Sequence, residues 1–380
     1  MKKRILLISI ALAVLAAYLP GQEAGASYLI KNATIVPVIG EMIPNGSLII
    51  ENGKITAIGL KGEVGIPPGI ETIDLQGKTI LPGFIDAHVH QAYSANNLSA
   101  WIQAGVTTVC DLGSSSDPFY FTFRDATLTH PEYARIVAAG PIVTSPDGYP
   151  IPAWGPEIAL EVSSPEDARL KVGELLDRGA DIIKIALAGT LTKEEVTAIT
   201  SLAHEHGTLE LAHVDTVKEL ELAVDNGVDV ATHMVIDRLP DELIQKMVAK
   251  DFTVIPTVAV LAGYNESAKA QILANLQQFA AAGGKVALGD DYGNPGIQLG
   301  MPIADIELML QAGMTPIQVI VAGTKNAAHA CNRQQELGTL EAGKIADILI
   351  IQGDPLEDIH ALLNVQMVLR DGVVYLQDLR

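Results

Sequence analysis

Between residues 81 and 335, short apolar segments alternate with stretches of helical periodicity. Eight of the apolar segments read as strands: 84–88, 107–111, 136–139, 182–186, 209–213, 230–233, 253–256 and 286–289. Helical patterns lie between them, among others at 165–177, 193–205, 216–226 and 241–250. Strands apolar on both faces pair in parallel through helical crossovers. Eight such units predict an α/β protein with a (β/α)₈ barrel over residues 81–335.

The two ends have a different character. Residues 28–38, 47–51 and 54–59 read as short strands, the last two joined by an Asn52-Gly53 turn. Residues 346–352, 365–369 and 373–376 read likewise, with a turn at Asp371-Gly372. Neither end is large enough to bury a core alone. Residues 27–80 and 336–380 are therefore expected to meet in one small β-domain flanking the barrel.

Residues 1–26 have the pattern of an export signal. Lys2-Lys3-Arg4 is a basic start, residues 5–19 are apolar, and Ala24-Gly25-Ala26 offers small residues for cleavage near Ala26-Ser27. The apolar run has 15 residues, shorter than the roughly 20 that span a bilayer. The reading is a secreted or periplasmic protein with no stable membrane insertion after cleavage. The alternative is an uncleaved anchor.

Composition narrows the partners. The leader carries three basic groups and one acid, so its loss moves the formal net charge from −20 to −22. Such a field repels phosphate backbones and excludes nucleic acid as a partner. It favours neutral or cationic small-molecule substrates. Cys110 and Cys331 are the only cysteines, so this is no disulfide scaffold, and Cys110 reads as a small buried hydrophobe.

Polar residues punctuate the apolar strands at consistent places. His88 and His90 end the first strand and, two apart, point the same way, where both can reach one divalent metal. Read alone, they are equally two satisfied core histidines. Lys184 is an isolated ammonium in Ile182-Ile183-Lys184-Ile185-Ala186, and a buried lysine is costly unless paired, modified or discharged. His213, His233 and the pair Asp290-Asp291 end three further strands. Barrel chemistry sits at the C-terminal ends of strands, so the set reads as a metal site. A carbamylated lysine would bridge two cations and let a shared water ionise near neutral pH. His130, His204, His206, His329 and His360 fall in loops or helices and are read as bystanders.

These residues resemble the metal-dependent amidohydrolase superfamily, in its imidazolonepropionase-like and Xaa-Pro dipeptidase-like branch. The likeness rests on residues 81–90 (Leu81-Pro82-Gly83-Phe84-Ile85-Asp86-Ala87-His88-Val89-His90), 104–109, 179–184, 287–291 and 337–347, and extends over essentially everything after the leader. It implies a TIM-like barrel with a composite β-sandwich. It also implies that His88, His90 and Asp291 hold one metal, His213 and His233 the other, and that carboxylated Lys184 bridges them. Asp291 would further serve as the general base. The family usually has threonine before that aspartate, where this chain has Asp290, so Asp290 takes the role if the register slips by one. Dipeptidase-like members often carry a tyrosine two residues after the fifth-strand histidine, helping to hold a substrate carboxylate. Asp215 stands there and would repel one. Tyr149 and Trp154, in the loop at 140–154, are candidates to line the substrate pocket or simply to pack that loop.

The implied reaction is hydrolysis of an amide or related C–N bond in a dipeptide, N-acyl amino acid, cyclic amide or carbamate, by attack of a metal-bridging hydroxide. Two zinc ions suit the ligand types best. The competing readings are a mononuclear imidazolonepropionase- or deaminase-like enzyme, which needs no Lys184, a lactone or ester hydrolase, and a non-catalytic binding or assembly protein. A homo-oligomer is compatible with all of them.

Overall fold

The computed structural model describes residues 27–188 and 191–377. The N-terminal alternation folds as β1 (Tyr28–Ile35), β2 (Ile43–Glu51), β3 (Lys54–Leu60), β4 (Glu71–Asp74) and β5 (Thr79–Pro82). The barrel region follows with β6 (Phe84–Val89), β7 (Val106–Asp111), β8 (Arg135–Ala138), β9 (Ile142–Thr144), β10 (Ala159–Glu161), β11 (Ile183–Ala186), β12 (Glu210–His213), β13 (Val230–Thr232), β14 (Thr253–Ile255) and β15 (Lys285–Val286). The chain then returns to the first layer as β16 (Ile348–Ile351), β17 (Val365–Arg370) and β18 (Val373–Gln377).

Seven of the predicted barrel strands are present and the eighth, expected at 286–289, is reduced to Lys285–Val286; they lie in parallel ladders of β6-β7-β8 and β9-β11-β12-β13-β14-β15, with β10 beside β9. Two seams separate these ladders, and backbone hydrogen bonds cross both. At one, Ala87 N–H donates to Leu288 O, Asp291 N–H to His88 O (2.8 Å) and His90 N–H to Tyr292 O (2.7 Å). At the other, the third strand breaks after Ala138. Its first half, β8, pairs with β7 and accepts from Asp181 N–H (2.9 Å), while its second half, β9, pairs with β11. The pattern 136–139 predicted only the first half. The continuation at 142–144 lies inside the loop expected at 140–154, and the edge strand at 159–161 follows it, where no element was expected.

The two chain ends form one eight-stranded sheet, ordered β18-β17-β16-β5-β1-β2-β3, with β4 also on β1. β1 meets β4 through Tyr28–Lys31 and β5 through Thr34 and Ile35, so the sheet forks there. Ile30, Leu48 and Ile50 from one end pack with Ile348, Met367 and Leu369 from the other. The core is shared between the two ends. The turns also meet. Asn52-Gly53 and Asp371-Gly372 have φ of 52°, 77°, 52° and 73°, as tight two-residue hairpins require. A Cβ on Gly372 would lie 2.7 Å from Gly53 Cα, and one on Gly53 would lie 2.8 Å from Asp371 O. Only glycines allow the two turns to touch.

The export signal predicted at 1–26 lies outside the described residues. Among the described residues, no helix is long and apolar enough to cross a membrane.

Candidate metal centre

The strand ends converge as the alternation of side chains requires. His88, buried on β6, and His90, just beyond it, place their Nε2 atoms 3.3 Å and 3.2 Å from Asp291 Oδ1. Across the centre, His233 Nε2 lies 2.9 Å from His213 Nδ1. Ligand atoms of His88, His233 and Asp291 all fall within 4.8 Å of one another. Lys184, 2% exposed, lines the same cavity and donates to the Thr232 hydroxyl. Thus His88, His90, Lys184, His213, His233 and Asp291, drawn from positions 88 to 291, face one space.

The outer nitrogens of three of the four imidazoles are occupied. His90 Nδ1 faces Gly113 O (3.4 Å), His213 Nε2 faces Asp215 Oδ1 (3.2 Å) and His233 Nδ1 faces the Thr257 hydroxyl (2.6 Å). A ring that donates outward keeps its lone pair inward, the arrangement found around metal-ligating histidines. Two inward lone pairs at 2.9 Å repel unless a cation or proton lies between them. Asp291 Oδ1 is likewise buried and, among the described residues, meets no donor in hydrogen-bonding geometry. These orphaned acceptors fit a divalent metal.

Electrostatics agree with the geometry. Burial holds the His88 imidazole well below its ordinary pKa. Burial, followed by the His213 charge, pushes His233 down to about 3. Both are neutral, as ligands must be. Burial opposes the ionised Asp291, yet His88, His90 and His233 outweigh it and hold the carboxyl well below its usual range. Burial also opposes the His90 cation, and the neighbouring Asp291 carboxylate outweighs this and raises it. Burial pushes Lys184 down to about 7. The backbone is strained at two of these positions, with φ of 78° at His233 and 61° at Asp291. Side chains in that region cost about 1–3 kcal/mol each and gather at functional sites.

Asp290 turns the other way. Its N–H donates to Asp86 Oδ1 (3.3 Å), its carboxyl hydrogen-bonds that of Asp86, and burial followed by the Asp86 charge drives it well up. Tyr149 stacks on His213, with ring centroids 4.5 Å apart and planes at 29°. Tyr149 and Trp154, the latter in a short helix at Ile151–Trp154, both line the cavity. Asp215 sits against His213 and outside that lining.

Residues 79–375 match the profile of the amidohydrolase family. The chain belongs to the amidohydrolase family. It is 27% identical over 370 residues to an imidazolonepropionase of Geobacillus sp. (strain WCH70), covering 81% of this chain and 84% of the relative. A solved Xaa-Pro dipeptidase with bound methionine is 24% identical with a TM-score of 0.82, covering 92% of this chain and 100% of that one. A prolidase candidate from Bifidobacterium longum is 27% identical, also at 0.82, covering 93% and 95%. Family membership makes this a metal-dependent hydrolase of C–N bonds.

Several residues of the amidohydrolase centre escaped sequence reasoning. Asp111, ending β7, is fully buried and pushed up to about 6 by burial, and it accepts from Ala92 N–H and Gly113 N–H. It thereby holds both loops that flank His90. Its signal was visible, since a carboxylate ends an apolar strand there as at 290 and 291. Thr257 and Gly113 carried no signal, because a hydroxyl or a carbonyl beside a histidine has no signature in sequence. The bystander histidines lie elsewhere: His204 faces Asp229, His130 faces Glu132, His360 bridges Glu307 and Asp358, and His206 bonds its own helix.

Proposed function

We propose that this amidohydrolase holds two divalent cations, zinc by ligand type, and hydrolyses an amide or related C–N bond of a small molecule. Dipeptides, N-acyl amino acids, cyclic amides and carbamates are the substrate classes. His88, His90 and Asp291 would hold one cation and His213 and His233 the second. Lys184 would bridge them as its carbamate. When bound, the pair acidifies a shared water and polarises the scissile carbonyl.

The chain's own residues do the rest. The depressed pKa of Lys184 leaves a neutral amine, whose nitrogen adds to the carbon of carbon dioxide and sheds a proton to give the carbamate. Asp291, ionised and aimed between two imidazoles, takes a proton from the attacking water and passes it to the departing amine nitrogen. Asp215, Thr257 and Gly113 hold His213, His233 and His90 with their lone pairs inward.

The observation that carries this reading is Lys184, a buried amine in one cavity with four histidines and a carboxylate. A mononuclear site draws support from the compact His88, His233 and Asp291 triad, but it gives Lys184 no task. Elemental analysis decides between them. Two zinc equivalents per chain are expected, falling in Lys184→Ala and partly restored by a short carboxylic acid. Full loading of Lys184→Ala would remove the bridge from the reading.

The leader at 1–26 supports export to the periplasm or medium. Mass spectrometry of protein from a bacterial host should find a mature start near Ser27, and an intact N-terminus would contradict this.

A further inference from the structure

We infer that the cavity selects a substrate whose group beside the scissile bond is apolar, of single-ring size and free of carboxylate. This rests on the hydrolase reading above and narrows it. The cavity has a volume of about 170 Å³, room for one ring-sized group. Its apolar wall is Ile142, Pro150 and Ile158 with the rings of Tyr149 and Trp154. Among the described residues that line it, Lys184 is the only lysine or arginine. Once Lys184 is a carbamate, no lysine or arginine in that lining remains to pair with a substrate carboxylate. Asp215, behind His213, adds a second negative charge beside that of Asp291. A carboxylate seated against the apolar wall is desolvated with no lysine or arginine to offset the cost, and Asp215 and Asp291 repel it.

The mouth points the same way. Trp154 is 47% exposed and Tyr264 67% exposed. The Tyr264 hydroxyl donates to Asn294 Oδ1 (3.0 Å), and Asn294 lines the cavity. Two large aromatic side chains thus stay partly wet at the entrance, and an apolar group seated there covers them. No charged group of the wall competes with that contact.

The test uses the metal-loaded full chain and hydroxamates, which grip the cations whether or not a substrate is known. Kd is measured for benzohydroxamate, meta-carboxybenzohydroxamate and acetohydroxamate, beside the metal content of the same sample. Benzohydroxamate should bind at least about tenfold tighter than its carboxylate analogue, since each tenfold step corresponds to roughly 1.4 kcal/mol. Trp154→Ala should weaken benzohydroxamate more than acetohydroxamate. Ile158→Arg, a change at a half-buried wall position, should narrow or reverse the preference against the carboxylate. Equal or tighter binding of the carboxylate analogue by a fully loaded wild type overturns the inference and leaves the hydrolase reading intact. A protein that holds no cation brings down the hydrolase reading itself, and this inference with it.

Discussion

At the scale of single residues, the backbone beyond β15 turns two adjacent acids apart, with Asp291 at a φ of 61°. Asp291 reaches His88 and His90, while Asp290 points to Asp86. Asp291→Asn removes the proton acceptor and a candidate ligand oxygen. A term of this kind is worth about 10²–10⁴-fold in rate, so turnover should be lost on any substrate found. Asp290→Thr leaves the centre's acceptor in place and should keep substantial activity, as kcat for the two variants will show. The reverse outcome would move the role to Asp290. The divergence was expected from period-two alternation, but the strand ends at Val286 and a left-handed turn of the backbone at Asp291 brings it about instead. The polar residues themselves were legible: an ionisable group at the end of an apolar strand stands out. Asp111 satisfies the same criterion, but the cysteine-containing run before it has the pattern of plain core and masks the signal.

At the scale of elements, β12 opens on a buried acid. Glu210 accepts from the Thr200 hydroxyl, while its other carboxyl oxygen has no partner among the described residues. Burial pushes its pKa up to about 8. A carboxyl whose folded pKa is raised binds its proton more tightly in the native state than in the unfolded chain. Its contribution is therefore favourable at low pH and declines as pH rises from the ordinary value near 4.3 toward 8. Glu210→Gln removes that titration. The melting temperature of the variant, relative to the wild type, should rise between pH 5 and pH 8.5, and a pH-independent difference would show that Glu210 titrates normally. The strand was predicted, but the role of Glu210 was not. Whether a polar residue on a strand faces solvent or a helix depends on what covers it, here the helix Lys193–Glu205, which carries Thr200. The broken third strand was illegible for a similar reason: three residues at 142–144 are too few to show any period.

At the scale of the whole molecule, the meeting of the two chain ends was legible, because each was too short to hold a core. What ties them to the barrel was not. Arg135, at the start of β8, is buried and pairs with Asp347 (2.6 Å) and Asp371 (2.6 Å), 212 and 236 residues away. The same guanidinium donates to the Thr108 hydroxyl on β7. Beside it, Arg370 is fully buried and donates to His130 O and Thr127 O, and burial followed by the Arg135 charge lowers its pKa. One arginine thus joins the floor of the barrel to the returning strands. Buried ion pairs add little compared with apolar packing, but removing one partner strands the other. Arg135→Ala leaves Asp347 buried without its cation, and the loss should be about 3–5 kcal/mol. Arg135→Met with Asp347→Asn removes both charges and should recover a good part of it, a non-additivity that marks direct coupling. Urea unfolding of the three proteins measures both terms. A loss below about 1 kcal/mol in Arg135→Ala would mean that the shared apolar core alone holds the ends in place. The metal centre lies at the opposite, C-terminal ends of the strands, so any Arg135 variant that folds should load metal like the wild type. Equal loading with lower stability would separate the two ends of the barrel into one that carries the chemistry and one that carries the fold.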